Sequence, residues 1–168
     1  DYLYLVNLDT DTPIFQKDAD KKCYPASTTK IMTYIIVTEK VKDLEKTMVT
    51  IKQSVLDELE GTDSSVAGLS EYIDEKISVL ELLYCMMVPS GNDAALVLAD
   101  YVSDGDVPKF VELMNQKAKE LGCKNTNFMN PHGLHDENHY TTAYDMYKIT
   151  EYAITTPHFT DITNTTTY

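Results

Sequence analysis

Ser27 and Lys30 stand three residues apart in Tyr24-Pro25-Ala26-Ser27-Thr28-Thr29-Lys30-Ile31-Met32-Thr33, a spacing that puts both on one face of a helix. A serine hydroxyl becomes a nucleophile when a base lies within hydrogen-bond reach and donors await the oxyanion. At a helix start Ser27 would have both: Lys30 one turn on, and around it the unpartnered N–H groups and positive field of the helix N-terminus. The obstacle is charge. A lysine of pKa about 10.4 is neutral in roughly one molecule per few thousand at pH 7, so burial or a nearby cation must lower it. Bringing it to about 7 costs about 4–5 kcal/mol of differential solvation. Alone, the pattern is common by chance and reads more simply as a capping serine and an exposed lysine.

A second polar constellation, Ser90-Gly91-Asn92, follows Pro89 and interrupts two strongly apolar stretches. A hydroxyl at such a break can relay protons, and an amide can hydrogen-bond a lysine and a substrate carbonyl together. The bland alternative is an N-cap by Ser90 or Asn92 for the helix that restarts at Asp93.

The elements that must carry these residues follow from periodicity. Residues 2–7 and Ile14-Phe15 read as an antiparallel hairpin joined by a turn-rich Asp9-to-Pro13 connection. Residues 16–25 are polar and lead into the Ser27 helix. It fades near Lys40 to Lys42, with Ile31, Met32, Ile35 and Ile36 on its apolar face. Met48 to Ile51 predicts a short strand, and Val55 to Leu59 one or two helical turns closed by Gly61. Residues 62–75 read as a surface excursion. Ile77 to Val88 predicts a helix with Ser78 or Asp74 as its cap, and Asp93 to Val102 a second, alanine-bearing one. Val107 to Leu121 predicts a third, with Pro108 in its first turn and Gly122 at its end. Residues 123–140 form an irregular loop, and Thr141 or Thr142 caps a final helix to about Thr155. The tail from Thr160 to Tyr168 is threonine-rich and β-prone.

Length and composition bound the rest. The chain has 168 residues, enough for one domain with a real core. Its net charge of −13 and lack of any arginine argue against a nucleic-acid partner. Cys23, Cys85 and Cys123 have neither disulfide-framework nor zinc-knuckle spacing. No apolar run reaches membrane-spanning length, and no leader precedes Asp1, so any signal peptide is expected to have been removed.

Together, Pro25-Ala26-Ser27-Thr28-Thr29-Lys30-Ile31-Met32-Thr33 and Leu82-Leu83-Tyr84-Cys85-Met86-Met87-Val88-Pro89-Ser90-Gly91-Asn92-Asp93-Ala94-Ala95 closely resemble the serine D-Ala-D-Ala carboxypeptidases, the low-molecular-mass penicillin-binding proteins. So do Asn130-Pro131-His132-Gly133-Leu134 and His139-Tyr140-Thr141-Thr142-Ala143-Tyr144-Asp145-Met146, in the family's order. The resemblance implies an α+β fold of the penicillin-binding-protein and serine β-lactamase type, an antiparallel sheet with a helical subdomain. It implies Ser27 as nucleophile toward the D-Ala-D-Ala carbonyl of peptidoglycan stem peptides and Lys30 as general base. Ser90 would relay a proton to the leaving amine, and Asn92 would hold Lys30 and the substrate amide. The Ser27 N–H would be half the oxyanion hole, and β-lactam antibiotics would acylate the same serine. No cofactor or metal is implied. The location would be extracytoplasmic, at the cell wall or the outer face of the bacterial cytoplasmic membrane, with any membrane anchor beyond residue 168.

The family's Lys-Thr-Gly motif is absent; Lys46-Thr47-Met48 lacks the glycine and precedes Ser90. The expectation is therefore a single incomplete catalytic domain over 1–168: sheet strands in 1–25, a mainly helical part in 26–155, and 156–168 leading into further strands. The remainder would be a separate chain or a lost segment, and Ser27 would be well placed but not competent without it, because the strand carrying a second lysine is missing. Three rival readings stand beside this one. A class A-like β-lactamase would need a deacylating glutamate, where the loop offers only Asp136 and Glu137. A metal site could draw on His132, His135 and His139, but loop histidines satisfying backbone groups explain them as well. A catalytically silent peptidoglycan-binding fragment is the third.

Overall fold

The alternation of Leu3-Tyr4-Leu5-Val6 makes β1 (Leu3–Asn7), which pairs antiparallel with β2 (Thr12–Lys17) through a register shift at Leu5/Val6. The computed structural model describes residues 1–168. The Asn7 side chain accepts from the Asp9 and Thr10 N–H groups and so shapes the turn between the strands. The hairpin rests on α6 (Ala143–Ala153), where Tyr4 meets Tyr144 edge-on at 5.1 Å and the Tyr147 hydroxyl reaches Asp11 at 2.7 Å.

The core gathers around α1 (Thr29–Lys40). The sequence suggests one apolar face, but Met32, Tyr34, Ile35, Ile36 and Val37 are all at most 2% exposed, and Thr29, Lys30 and Thr33 are buried with them. The helix is enclosed on several sides by α3 (Val79–Met87), α4 (Asn92–Val102), α5 (Val107–Glu120) and α6. Small side chains let α4 come close: Ala94, Ala95 and Ala99 are completely buried.

Three expectations change. Ile77 belongs to a strand, not to the helix that follows: β4 (Lys76–Ser78) pairs with β3 (Met48–Thr50), with Val49 opposite Ile77. Ser78 then ends the strand and starts α3 through a reciprocal capping box with Glu81. The 62–75 segment is more than a surface excursion. The short α2 (Gln53–Leu56) leads into it, Leu69 is buried, and the Ala67, Gly68 and Leu69 N–H groups are all taken by Asp93.

The tail is the third correction, because Phe159–Thr163 is helical (α7), not extended, and 156–168 holds no strand. Phe159 and Ile162, one turn apart, are buried, and Phe159 packs edge-on against Tyr34 at 5.2 Å. Burying two such side chains stabilises by about 1.5–3 kcal/mol each. The β-preference of threonine spans at most about 1 kcal/mol and is outweighed.

Candidate active site

Two turns and one loop converge on the N-terminus of α1. The first turn is a single 3-10 turn, Ala26–Thr28, leading directly into the helix. Thr28 locks it with its N–H and hydroxyl both donating to the Pro25 carbonyl, the hydroxyl at 2.6 Å. Ser27 is exposed on this turn, and Lys30, in the first turn of α1, is 2% exposed. The sequence therefore places the nucleophile candidate at a rigid, solvent-open edge and its base candidate inside.

The Lys30 ammonium nitrogen has three oxygen neighbours. It lies 2.6 Å from Asn92 Oδ1, 2.8 Å from the His132 carbonyl and 3.4 Å from Ser27 Oγ. The first two are short bonds; the third is long and weak. Burial pulls the Lys30 pKa down to about 8, against the opposing charge of Asp93. At that value about a tenth of the molecules carry a neutral amine at pH 7, against roughly one in a few thousand for a free lysine. Burial alone supplies most of the required shift.

Asn92 opens α4 and turns its carbonyl oxygen to Lys30, while its amide nitrogen has no partner within the protein and is not sealed from solvent. That nitrogen remains free to donate. Ser90 precedes it on the same turn with a left-handed backbone, φ 62°, and its hydroxyl makes no hydrogen bond to Ser27, Lys30 or any other group. The structure thus brings Ser27, Lys30 and Asn92 into one hydrogen-bonded cluster and does not bring the Ser90 hydroxyl into it. Ala26, immediately before Ser27, is also left-handed at φ 47°. Each such residue costs about 1–3 kcal/mol and persists only where its surroundings hold it.

The 123–140 loop supplies what the sequence reading missed. Its carbonyls satisfy α1: His132 O takes Lys30, and Pro131 O takes the Thr33 hydroxyl at 2.6 Å. Asn130 shapes the turn by accepting from the His132 and Gly133 N–H groups and donating to Leu134 O. Gly133, at φ 97°, passes so close to the Ser27 turn that a Cβ there would lie 2.0 Å from the Ala26 carbonyl oxygen and 3.0 Å from the Ser27 nitrogen. No side chain fits at that crossing. The Asn-Pro-His-Gly run was visible in sequence, but nothing in it says that a main-chain carbonyl would ligate a lysine 102 residues away.

The three histidines occupy separate roles. His139 bridges the Thr29 hydroxyl through Nε2 and the Met129 N–H through Nδ1; His132 Nδ1 accepts from Leu134. His135 sits edge-on to Tyr24 at 4.7 Å. Burial, first of all, pushes both His132 and His139 down to about 4, so each is neutral at pH 7. Asp136 caps its own loop by accepting from Asn138, and Glu137 is exposed.

Comparison with known proteins follows the same lines. Residues 2–168 match the model of the peptidase S11 family, D-alanyl-D-alanine carboxypeptidase. The chain is 38% identical over 144 residues to the D-alanyl-D-alanine carboxypeptidase DacF of Bacillus subtilis, covering 84% of this chain and 36% of that protein. It is 34% identical over 170 residues to the D-alanyl-D-alanine carboxypeptidase of Streptomyces sp. K15, covering 98% of this chain and 58% of that one. The crystal structure of the Streptomyces K15 DD-transpeptidase superposes with a TM-score of 0.88 at 34% identity, over 95% of this chain and 62% of that chain. Penicillin binding protein 5 of Haemophilus influenzae superposes with 0.81 at 37% identity, over 90% and 44%. The chain therefore spans about a third to three-fifths of the length of these relatives, and its fold is the α+β fold they share.

Proposed function

The chain belongs to the D-alanyl-D-alanine carboxypeptidase family, and from that premise we propose that it is a serine peptidase that removes the terminal D-alanine from peptidoglycan stem pentapeptides through an acyl-enzyme. The observation that carries this reading is the buried Lys30 amine, held by Asn92 Oδ1 and the His132 carbonyl within 3.4 Å of Ser27 Oγ.

In the proposed reaction neutral Lys30 takes the Ser27 proton as Oγ attacks the carbonyl carbon of the penultimate D-alanine. The tetrahedral oxyanion forms against the Ser27 N–H, on the 3-10 turn that precedes α1. The Asn92 amide nitrogen, free of protein partners, donates to the substrate backbone and fixes its orientation. As the C–N bond breaks, the departing D-alanine amine gains the proton, with the unpaired Ser90 hydroxyl as its relay from Lys30. Water then attacks the ester, and Ser27 is released. A β-lactam would acylate Ser27 by the same first step. The relatives, carboxypeptidases and a penicillin-binding protein, support a cell-wall, extracytoplasmic setting. No helix is long and apolar enough to cross a membrane.

The test is covalent. Incubated with benzylpenicillin, the protein carrying the complete catalytic domain of its family should gain one adduct by intact mass, mapping to the peptide that holds Ser27, and it should release D-alanine from a Lys-D-Ala-D-Ala peptide. An adduct on another residue, or none, sinks the proposal. Muropeptide binding that survives Ser27→Ala without any adduct in the wild type would instead favour a silent binding module.

A further inference from the structure

Asp93 is a buried carboxylate, 3% exposed, with no cation in contact, and it lies next in sequence to Asn92. Its charge is met by main-chain donors. The Ala67 N–H reaches Oδ1 at 2.8 Å and Oδ2 at 3.0 Å, the Gly68 and Leu69 N–H groups reach Oδ2 at 3.0 Å each, and the Ala94 N–H reaches Oδ1 at 2.9 Å. A carboxylate in the first turn of a helix is favoured by the helix field, but capping α4 accounts for only the Ala94 bond. The other donors belong to a segment far off in sequence.

That segment bears directly on the Ser90-Gly91-Asn92 turn. The Asn92 N–H donates to the Ser65 carbonyl at 2.8 Å, and the Ser65 hydroxyl donates to the Pro89 carbonyl at 3.0 Å. Gly91 is wedged against it: a Cβ there would lie 2.7 Å from Asp93 Oδ1, 2.7 Å from the Cys85 carbonyl and 2.9 Å from the Ala67 methyl. The 62–69 stretch itself buries only Leu69. With so little apolar contact of its own, it would open locally at low cost if the carboxylate were lost.

We propose that Asp93 is a positioning residue for the lysine: its carboxylate ties the 65–69 segment down over the Ser90-Gly91-Asn92 turn, and so holds the Asn92 amide on the Lys30 amine. The inference rests on the reading of Lys30 as the base. It gives Asp93 a second effect, because the same charge stabilises the Lys30 ammonium form. The charged and titratable groups near Lys30 are Asp93 from α4 and His132 from the 123–140 loop, with His139 behind it. His132 and His139 are neutral at pH 7, so Asp93 is the one formal charge opposing deprotonation there.

Asp93→Asn removes the charge and replaces one acceptor oxygen with a donor facing N–H groups. Amide exchange at Ala67, Gly68 and Leu69 should speed up by about tenfold or more, and exchange at the Asn92 amide should follow. The Lys30 titration midpoint, read from its Cε resonance, should move to lower pH. Faster exchange at 67–69 with the Asn92 amide and Lys30 unmoved would reduce Asp93 to a loop anchor and overturn the proposal. If Asp93→Asn does not fold, Ala67→Pro decides the matter: it deletes the N–H shared by both carboxylate oxygens and keeps the charge. Exchange at Asn92 must then rise; unchanged exchange overturns the proposal. These readouts need no turnover. Failure of wild-type acylation would sink the proposed function while leaving the exchange result standing.

Discussion

Lys30 and Asn92 are joined by a 2.6 Å hydrogen bond between residues 62 positions apart, one on the central helix α1 and one on α4, which packs against it. This bond links the two motifs that the sequence offered separately. It also fixes which way the Asn92 amide points, because the lysine takes the carbonyl oxygen and leaves the nitrogen to the cleft.

Asn92→Asp should convert that bond into an ion pair. A carboxylate against Lys30 raises the lysine pKa and removes most of its neutral fraction at pH 7. Penicillin acylation at pH 7 should fall by about 10–100-fold and recover partly at pH 9. Asn92→Ala should lose acylation without that alkaline recovery. Stopped-flow acylation across pH separates the two.

Lys30→Met should abolish acylation, by about 10²–10⁴-fold, which is the usual contribution of a positioned general base. The melting temperature should fall modestly, because Met removes the donor shared by Asn92 Oδ1 and the His132 carbonyl and leaves those acceptors unpaired, at about 1–3 kcal/mol each where they stay buried. Acylation that survives in Lys30→Met would contradict the lysine base, whatever the melting temperature does.

The pH dependence follows from the value of about 8 for Lys30. The reactive form is the neutral amine, so the acylation rate should climb about tenfold per pH unit below 8 and level off above it. A profile that is flat from pH 6 to 9 would contradict the lysine base.

Acid stability should report the two buried histidines. His132 and His139 sit near 4 in the folded chain and near 6.5 when unfolded, so between those values the unfolded chain binds more protons. Stability should therefore be full above pH 6.5 and decline as pH falls toward 4. His139→Gln, keeping a hydrogen-bonding side chain beside Thr29, should flatten that decline in urea titrations.

Gly133→Ala should be among the most damaging single-methyl additions in the chain. The new Cβ would need to share space with the Ala26 carbonyl oxygen, and the backbone there has φ 97°. Overpacking plus left-handed strain should cost about 2–4 kcal/mol and displace the Ser27 turn. Denaturant unfolding and penicillin acylation should both show it.

Local chemistry made much of this protein legible from its residues. The hairpin, α1, the Ser90 break, α5 with Pro108 and Gly122, and the Thr142 cap all rest on signals confined to a few neighbouring positions. Ser27, Lys30 and Asn92 could be chosen as candidates because their types and spacing suit an activated serine. What the sequence could not decide was anything that depends on a distant partner. Ile77 became a strand because Val49 lies opposite, and the threonine tail became a helix because Phe159 found Tyr34. The lysine pKa, the His132 carbonyl that holds the amine, and the Gly133 crossing at Ala26 exist only once α1 and the 123–140 loop have packed. Desolvation and main-chain hydrogen bonding across that interface are properties of the folded packing, and no pattern of side chains along the chain encodes them locally.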